Sequence, residues 1–427
     1  MLAFHIGQTL QRLWNDSGVN AFFVGDGWKS LVMIVIACVL LYLGIVKKFE
    51  PLLLVGIAFG CLLSNLPLGG LYHQELWDDF MNEGSAFYHS YGHVLAEGGL
   101  LDFFYIGVKT SLYPCLIFLG VGAMTDFGPL LSNPKSMLMG AAAQLGVFVA
   151  FFLAICIGFT GPEAASIGII GGADGPTAIF LTMQLAPHLL GPIAIAAYSY
   201  MALIPLIQPP FMKLLTTGKE RRVVMKQARE VSKTEKIIFP IVVTVFVSIL
   251  LPSTAPLIGC LMLGNLFREC GVTARLSDTV QNALMNIVTI MLSTSVGATM
   301  VGASFLNLNT LKIIALGVFA FALSTIGGLL MGKVLYVVTK GKVNPLIGSA
   351  GVSAVPMAAR VSQDVGRKYN PTNYLPDFQR RLMHKPALCV LQKHAKGGFA
   401  LSALRAWVPG FQRWVPRKNK AKVPGPE

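Results

Sequence analysis

The sequence predicts an all-α polytopic membrane protein with about ten transmembrane segments. The prediction depends on 54% hydrophobic residues, on only 13% charged residues, and on long apolar runs that recur along the 427-residue chain. Soluble domains carry about 25% charged residues, and a straight helix needs roughly 20 apolar residues to cross a bilayer. The candidate segments are 31–46, 51–67, 104–124, 136–160, 164–185, 191–212, 237–252, 254–268, 283–303 and 311–338, with a shorter one at 344–359.

Residues 1–28 are predicted to form a mildly amphipathic N-terminal segment. They lack a hydrophobic core followed by a small-residue cleavage site, so no cleavable signal peptide is expected. The seven cysteines lie mostly in apolar runs and form no CxxC pair. Buried free thiols are therefore expected in place of a metal or redox site.

The net charge of +14 is concentrated in two places and does not indicate nucleic-acid binding. Residues 360–427 hold 14 Lys/Arg against three acids, which accounts for +11 of the total. Residues 213–236 hold eight Lys/Arg against three Glu between two apolar runs. Short basic loops next to membrane spans lie in the cytoplasm, so 213–236 is predicted to be a basic cytoplasmic loop.

The chain is predicted to contain two inverted repeats, a membrane half at 29–212 and a second at 237–360. Four pairs of similar stretches occur in the same order in the two halves. They are GCLLSNL (60–66) and GCLMLGNL (259–266), VGAMT (121–125) and VGATM (296–300), LGVFVAFFL (145–153) and LGVFAFAL (316–323), and IGIIGGADGPTA (167–178) and IGSAGVSAVPMA (347–358). Transporters built from inverted repeats often bind ions where Gly/Pro-interrupted helices meet. The broken segments 164–185 and 344–359 are predicted to form such a pair.

Asp174 is the central candidate, because it stands between glycines and a proline in GGADGP (171–176). A charged carboxylate facing lipid costs about 2.5–3.5 kcal/mol even on a lenient scale. It is expected instead to face a cavity and to hold a cation or a proton. The hydroxyl of Thr177 and the carbonyls of the glycines supply the oxygen ligands that hard cations prefer. A protonated structural aspartate, or a loop residue at the interface, is the alternative.

The second broken segment supplies neutral oxygens and one charge. Asn344 and Ser353 supply candidate oxygen ligands for sodium, and Gly348 allows the backbone to approach closely. Arg360 either extends to the interface from a helix end or recognises a carboxylate, and Tyr200 either reaches the same cavity or belongs to an interfacial belt. These residues alone would equally suit a secondary sodium/proton or sodium/carboxylate transporter.

Three long motifs go further: IGGADGPTAIFLT, AAYSYMALIPLIQPPFMKLLTT and NPLIGSAGVSAVPMAARVS. They resemble the beta subunit of sodium-translocating decarboxylases, the oxaloacetate decarboxylase beta chain in particular, and the resemblance covers about residues 25–375. It implies a multi-pass subunit of a carboxy-lyase in the bacterial inner membrane. This subunit decarboxylates carboxybiotin, consumes a proton and exports sodium. Glutaconyl-CoA and methylmalonyl-CoA decarboxylase beta subunits share the motifs, so oxaloacetate is expected as the carboxyl donor with these alternatives open.

The resemblance also implies the site and the partners. The family's sodium-site aspartate corresponds to Asp174, its tyrosine to Tyr200, and the polar residues of its second segment to those at 344–360. From its charge, Arg360 is expected to contact carboxybiotin. The chain has no Ala-Met-Lys-Met sequence, so biotin is expected to arrive on an alpha subunit. The other expected partners are a small single-span gamma subunit and further copies of this chain in a homo-oligomer. No nucleic-acid partner is expected.

The region 361–427 departs from the family pattern. Family members continue after an NPTNYL-like stretch into a further membrane span containing Gly, Pro and Asn. Here NPTNYL (370–375) is followed by a basic, proline-broken sequence with no run near 20 apolar residues. A frameshift is the favoured explanation, and an adapted basic tail is the alternative.

Overall fold

The computed structural model describes residues 14, 17–23, 25–48, 51–132, 137–172, 175–224, 229, 231–351 and 355–370. The chain divides into two units, Met1–Phe378 and Gln379–Glu427, and every described residue belongs to the first. Within these ranges the chain is helical and contains no strand. The prediction of an all-α protein is confirmed. The tail beyond residue 370 and most of residues 1–28 lie outside the described residues.

Thirteen helices precede the basic loop in the described part of the chain. In chain order they are α1 Gly18–Ala21, α2 Gly27–Ile45, α3 Pro51–Ser64, α4 Gln74–Met81, α5 Tyr91–Glu97, α6 Leu100–Lys109, α7 Leu112–Met124, α8 Gly128–Ser132, α9 Met137–Ala143, α10 Leu145–Ile157, α11 Gly161–Gly168, α12 Gly175–Leu185 and α13 Leu190–Leu215. Short 3-10 turns at Ile169–Gly171 and Pro187–Leu189 flank α12.

The rest of the described chain adds eight more helices. They are α14 Gly218–Arg221, α15 Lys233–Leu250, α16 Ala255–Glu269, α17 Ala274–Thr279, α18 Met285–Ala298, α19 Gly302–Phe305, α20 Leu308–Val338 and α21 Val355–Tyr369. A π turn at Val280–Leu284 joins α17 to α18, and 3-10 turns lie at Pro252–Thr254 and Pro345–Gly351. Helix α21 continues past residue 360, where the second membrane half is predicted to end.

Several helices are apolar, as the composition predicts. By length and hydropathy, three of those in the described ranges could each cross a membrane: Gly27–Ile45, Leu138–Ile157 and Leu308–Val338. A fourth arises if α6 and α7, bent by 65° relative to each other, are counted as one span. The prediction of apolar helices is confirmed, whereas the count of about ten stays a prediction.

The bend between α6 and α7 replaces the single span predicted at 104–124. Ser111 has a positive φ of 59°, which breaks the helix just before α7. The ring of Tyr113 packs where a side chain at residue 107 would stand, and only glycine leaves this space. Pro114 then lies in the first turn of α7, where a proline is tolerated. Apolarity alone carries no signal for this bend.

Helices of one predicted half pack against helices of the other. Helix α3 of the first half packs along α18 of the second, and α16 of the second half packs along α7 of the first. In both pairs a glycine lets the backbones approach closely: Gly297 meets the carbonyl of Ile57, and Gly122 meets the carbonyl of Leu261. Close packing at small residues is the usual way in which membrane helices associate.

Charged side chains gather at two ends of the fold. At one, called the basic end, Lys236 lies 3.3 Å from Asp126 and 3.6 Å from Glu269, which brings together the start of α15 and the ends of α7 and α16. The basic loop 213–236 is at this end. The other, called the acidic end, contains residues 65–109 with Glu75, Asp78, Asp79, Glu83 and Glu97.

Helix α20 lies at the centre of the fold. More than half of its most apolar window is buried inside the protein. It contacts α10, α13 and both 3-10 turns at 169–171 and 345–351. Its Phe321 and Leu329 are fully buried with Ile170 and Ile193 in the main core.

Candidate functional site

The first interrupted segment, residues 161–189, folds back on itself and is called the first hairpin. Its two ends meet where His188 Nε2 lies 2.9 Å from Glu163 Oε1. The backbone N–H of Thr160 donates to Glu163 across 2.8 Å and caps α11. This hydrogen bond, followed by the one to His188, lowers the pKa of the Glu163 carboxyl. The apolar run 164–185 therefore begins and ends on the same side of the fold, at the acidic end.

The second interrupted segment, residues 344–369, also folds back and is called the second hairpin. At its start, Asn344 Nδ2 donates to the carbonyls of Arg221 and Val223 across 3.1 and 3.0 Å. At its end, Arg221 Nη1 donates to the hydroxyl of Tyr369 across 2.6 Å, and the guanidinium lies 4.7 Å from the ring centre. Arg221 thus holds both ends of the second hairpin at the basic end.

The two hairpins approach the same helix from opposite ends of the fold. In the first, Gly171 packs against Ala320 of α20. In the second, Gly348 and Gly328 of α20 touch backbone to backbone, so that a Cβ on either would collide with the carbonyl of the other. At 1.5 Å per residue, positions 320 and 328 are about 12 Å apart along the axis. In each hairpin the helical structure is interrupted just after this contact.

The structure places the predicted site residues as follows. Asp174 and Ser353 lie outside the described residues, between the two arms of the first and second hairpin respectively. Thr177 is half-buried in the first turn of α12, and Gly348 is buried in the 3-10 turn of the second hairpin. Arg360 is exposed on α21. Tyr200 lies in α13, and its side chain is outside the described part of the structure.

Asn344 is fully buried, and its amide has a defined structural task. Besides the two hydrogen bonds to the basic loop, its Oδ1 accepts from the backbone N–H of Leu346 across 3.0 Å. This acceptor starts the 3-10 turn. One lone pair of Oδ1 is therefore engaged, which leaves the other for a further ligand.

Sequence reasoning missed a buried polar chain that supports the second hairpin. Gln208 of α13 donates through Nε2 to the carbonyl of Ser349 across 3.1 Å. The Ser349 hydroxyl lies 2.9 Å from the Ser362 hydroxyl of α21. All three side chains are fully buried. The signal was a lone glutamine between prolines in an apolar run, the same pattern of reasoning that singles out Asp174.

A cavity of about 460 Å³ lies at the acidic end. Its walls include Trp77, Asp78, Lys109 and His188. Buried Asp102 supports this wall by accepting the Trp77 indole N–H across 2.7 Å. Helix α13 begins at this cavity and ends beside the basic loop, so its 26 residues separate the two by about 39 Å.

In the described ranges no group of three or more His, Cys, Asp or Glu side chains is placed to hold a metal ion. The donors around the hairpins are mainly neutral: amide, hydroxyl and backbone oxygens. Such oxygens suit alkali and alkaline-earth cations better than transition metals. The arrangement is that of a membrane protein in which two interrupted hairpins meet one central helix.

Comparison with known proteins defines the family. Residues 29–384 match the Na+-transporting oxaloacetate decarboxylase beta subunit family. The chain is 59% identical to the methylmalonyl-CoA decarboxylase subunit beta of Propionigenium modestum over 83% of this chain and 90% of the relative. It is 56% identical to the glutaconyl-CoA decarboxylase subunit beta of Acidaminococcus fermentans over 86% and 90%. It is 50% identical to the oxaloacetate decarboxylase beta chain of Klebsiella pneumoniae over 84% and 93%.

The chain belongs to the family of Na+-transporting decarboxylase beta subunits. It is therefore a membrane component of a carboxy-lyase complex that works with other subunits. The predicted resemblance is confirmed. The comparisons span relatives named for three different carboxyl donors.

Proposed function

We propose that this chain couples the decarboxylation of carboxybiotin to the export of sodium, with consumption of a proton. The observation that carries the proposal is the meeting of two interrupted hairpins, one from each end of the fold, on α20. Such segments leave backbone carbonyls free for an ion and are tolerated in a membrane only where they line protein or water.

The proposed topology has nine crossing helices in the described residues and two re-entrant hairpins. The crossings are α2, α3, α7, α9 with α10, α13, α15, α16, α18 and α20. The basic end then faces the cytoplasm, because Lys47 and Lys340 fall in loops on that side, Lys236 and Arg268 lie at helix ends there, and Lys and Arg near the ends of spans favour the cytoplasmic side. The location proposed is the bacterial inner membrane.

Inverted repeats explain why helices of one half pack against helices of the other. By the matched motifs, α3 corresponds to α16 and α7 to α18. The pair α3–α18 thus corresponds to the pair α16–α7, as a pseudo-twofold axis requires. The hairpins correspond in the same way, one opening to each side. This agreement supports the repeat proposed from sequence.

The proposed sodium ligands come from both hairpins. Asp174 supplies the charge and Thr177 a hydroxyl from the first. Asn344, Gly348 and Ser353 supply neutral oxygens from the second. A site shared between hairpins that open to opposite sides can be reached from one side at a time. Proton binding at Asp174 in exchange for sodium would connect proton consumption to sodium release.

Carboxybiotin is proposed to approach from the cytoplasmic side. Bound there, it supplies the carboxyl group that is lost as CO2. Arg360 lies exposed on α21, and a guanidinium can hold a carboxylate through two parallel hydrogen bonds. Tyr200 is proposed to assist proton movement beside Asp174. The biotin is carried by an alpha subunit, a gamma subunit assists assembly, and the beta subunits form a homo-oligomer.

The carboxyl donor is chosen by the alpha subunit, so the beta subunit identifies it only indirectly. Oxaloacetate is the donor predicted from sequence. Identity to the methylmalonyl-CoA relative, 59%, exceeds that to the oxaloacetate relative, 50%. Both donors therefore need to be assayed side by side.

The repeat also bears on the region after α21. Helix α13 follows the first hairpin, and its counterpart would follow the second, after Tyr369. The family match ends at residue 384, within a sequence too basic to form such a helix. We attribute this to a shift of reading frame. A helix restored there would bring the crossings to ten.

Sodium uptake into inverted membrane vesicles tests the function. Vesicles containing this chain with its alpha and gamma subunits are given oxaloacetate or methylmalonyl-CoA, and uptake of ²²Na⁺ is followed. Uptake that requires a donor and is abolished by avidin supports the pump. A secondary transporter would move sodium down a pH or carboxylate gradient and would be indifferent to avidin.

A further inference from the structure

Gln208 lies beside the second hairpin but belongs to neither hairpin. Its amide nitrogen faces the carbonyl of Ser349 at 3.1 Å. Because a carbonyl can only accept, this contact fixes which end of the amide faces the hairpin. Oε1 consequently points elsewhere, is fully buried, and has no hydrogen-bond partner.

The backbone of α13 around Gln208 lacks three of the usual N–H donors. Pro205, Pro209 and Pro210 lie inside the helix, and proline has no N–H to donate. The carbonyls of residues 201, 205 and 206 therefore receive no hydrogen bond from the residue four positions later. Positions 201, 205 and 208 fall on one face of the helix, at spacings of four and three.

On the hairpin side of this contact, two serine hydroxyls make more contacts than they have protons to donate. The Ser349 hydroxyl contacts the carbonyl of Leu346 at 2.7 Å and the Ser362 hydroxyl at 2.9 Å. The Ser362 hydroxyl contacts the carbonyl of Ala358 at 2.8 Å. Two hydroxyl protons thus serve three contacts, so one of the three contacts has no hydrogen between its oxygens.

Gln208 lies between the basic end of α13 and the middle of that helix, against the 3-10 turn of the second hairpin. It is seven residues before the end of α13, or about 10 Å from the basic end. Ser349, its partner, follows Gly348 in the 3-10 turn Pro345–Gly351. A cation moving from the cytoplasm along the second hairpin would pass this point.

We infer that Gln208 Oε1 is an oxygen ligand for sodium at a site beside the 3-10 turn of the second hairpin, on the cytoplasmic side. The inference depends on the proposed sodium coupling and adds a residue to it. Nε2 anchors the side chain to the second hairpin, and Oε1 faces the cation. The amide therefore contacts both the ion and the second hairpin.

Three variants separate the oxygen from the hydrogen bond. Q208M removes both, whereas Q208E keeps an oxygen and loses the N–H that Ser349 accepts. T325V is the matched control, since Thr325 is equally buried and its hydroxyl donates to Phe321 within α20. Each purified chain is heated in detergent with increasing NaCl at constant ionic strength set by choline chloride. The concentration that gives half of the Na+-dependent rise in Tm is measured.

Q208M is expected to raise this half-saturating concentration on the order of tenfold, the effect of losing one ligand to a charged group. Q208E and T325V are expected to bind sodium no more weakly than wild type. Unchanged half-saturation in Q208M would overturn the inference, and so would a Q208E that binds as weakly as Q208M, because the hydrogen bond would then be the cause. If Q208M does not fold, weakened binding by Q208E alone overturns it. A wild-type chain whose Tm ignores sodium would instead remove the sodium coupling itself.

Discussion

Asn65 and Asn265 make the same contact in the two halves of the fold. Asn65 Nδ2 donates to the carbonyl of Met300 across 2.7 Å, and Asn265 Nδ2 donates to the carbonyl of Thr125 across 2.8 Å. The matched motifs pair Asn65 with Asn265 and Thr125 with Met300. Each asparagine thus holds the end of a helix from the opposite half, as expected for two copies of one unit.

Replacing either asparagine by leucine should destabilise the protein by about 1–2 kcal/mol, with the larger loss at residue 65, whose Oδ1 also accepts from the backbone N–H of Gly302 across 3.0 Å. Each change leaves a carbonyl at the end of a helix without its donor. Thermal unfolding in detergent measures the effect. Asn282→Leu is the control, because that exposed amide hydrogen-bonds only locally, to Asp278 four residues earlier. A large loss from only one of the two variants would contradict the equivalence.

The link between Glu163 and His188 should depend on pH. The folded protein holds the pKa of Glu163 below its usual value, so the stability it contributes is complete above about pH 4.3. It is lost as the pH falls through the lower folded pKa. Wild type should therefore melt above E163Q at pH 7, and the difference should shrink at acid pH. A difference that is constant with pH would mean that the charge of Glu163 has no part in closing the first hairpin.

Asn344→Asp separates two tasks of this residue. Aspartate keeps an oxygen at Oδ1 but cannot donate to the carbonyls of Arg221 and Val223. We expect a loss of stability of about 1–3 kcal/mol, with proteolysis of the basic loop accelerated. Sodium binding should persist, since the ligand oxygen remains. Loss of sodium binding with unchanged stability would show that the amide does not secure the loop.

The frameshift can be tested directly on the gene. Resequencing across codons 360–427, with translation of the other frames, should reveal an apolar span containing Gly, Pro and Asn. Confirmation of the present frame, with no such span in the others, would favour the adapted basic tail.

Much of the fold follows from the sequence. Apolar runs predicted most helices within a few residues, as for 311–338 against Leu308–Val338. The Gly/Pro motifs located both interruptions. What the apolar runs could not predict is whether a segment crosses the membrane or turns back. The segment 164–185 looks like a span, yet its ends meet through Glu163 and His188. That contact joins residues 25 positions apart, and hydropathy contains no such long-range information.

The candidate site depends more on motif than on chemistry. Asp174 stands out because an acid in an apolar run is costly, and Gln208 could have been found by the same reasoning. Neutral donors are harder to read. Asn344 was predicted as a ligand, and only the structure reveals its hydrogen bonds to the basic loop.

The central claim is that decarboxylation depends on sodium through Asp174. The most direct test compares wild type, Asp174→Asn and the exposed control Asp278→Asn in the assembled complex, with decarboxylation rates measured against sodium concentration. Asp174→Asn should assemble in the membrane yet lose sodium-dependent decarboxylation, while Asp278→Asn should match wild type. An Asp174→Asn complex that keeps the wild-type response to sodium would contradict the account.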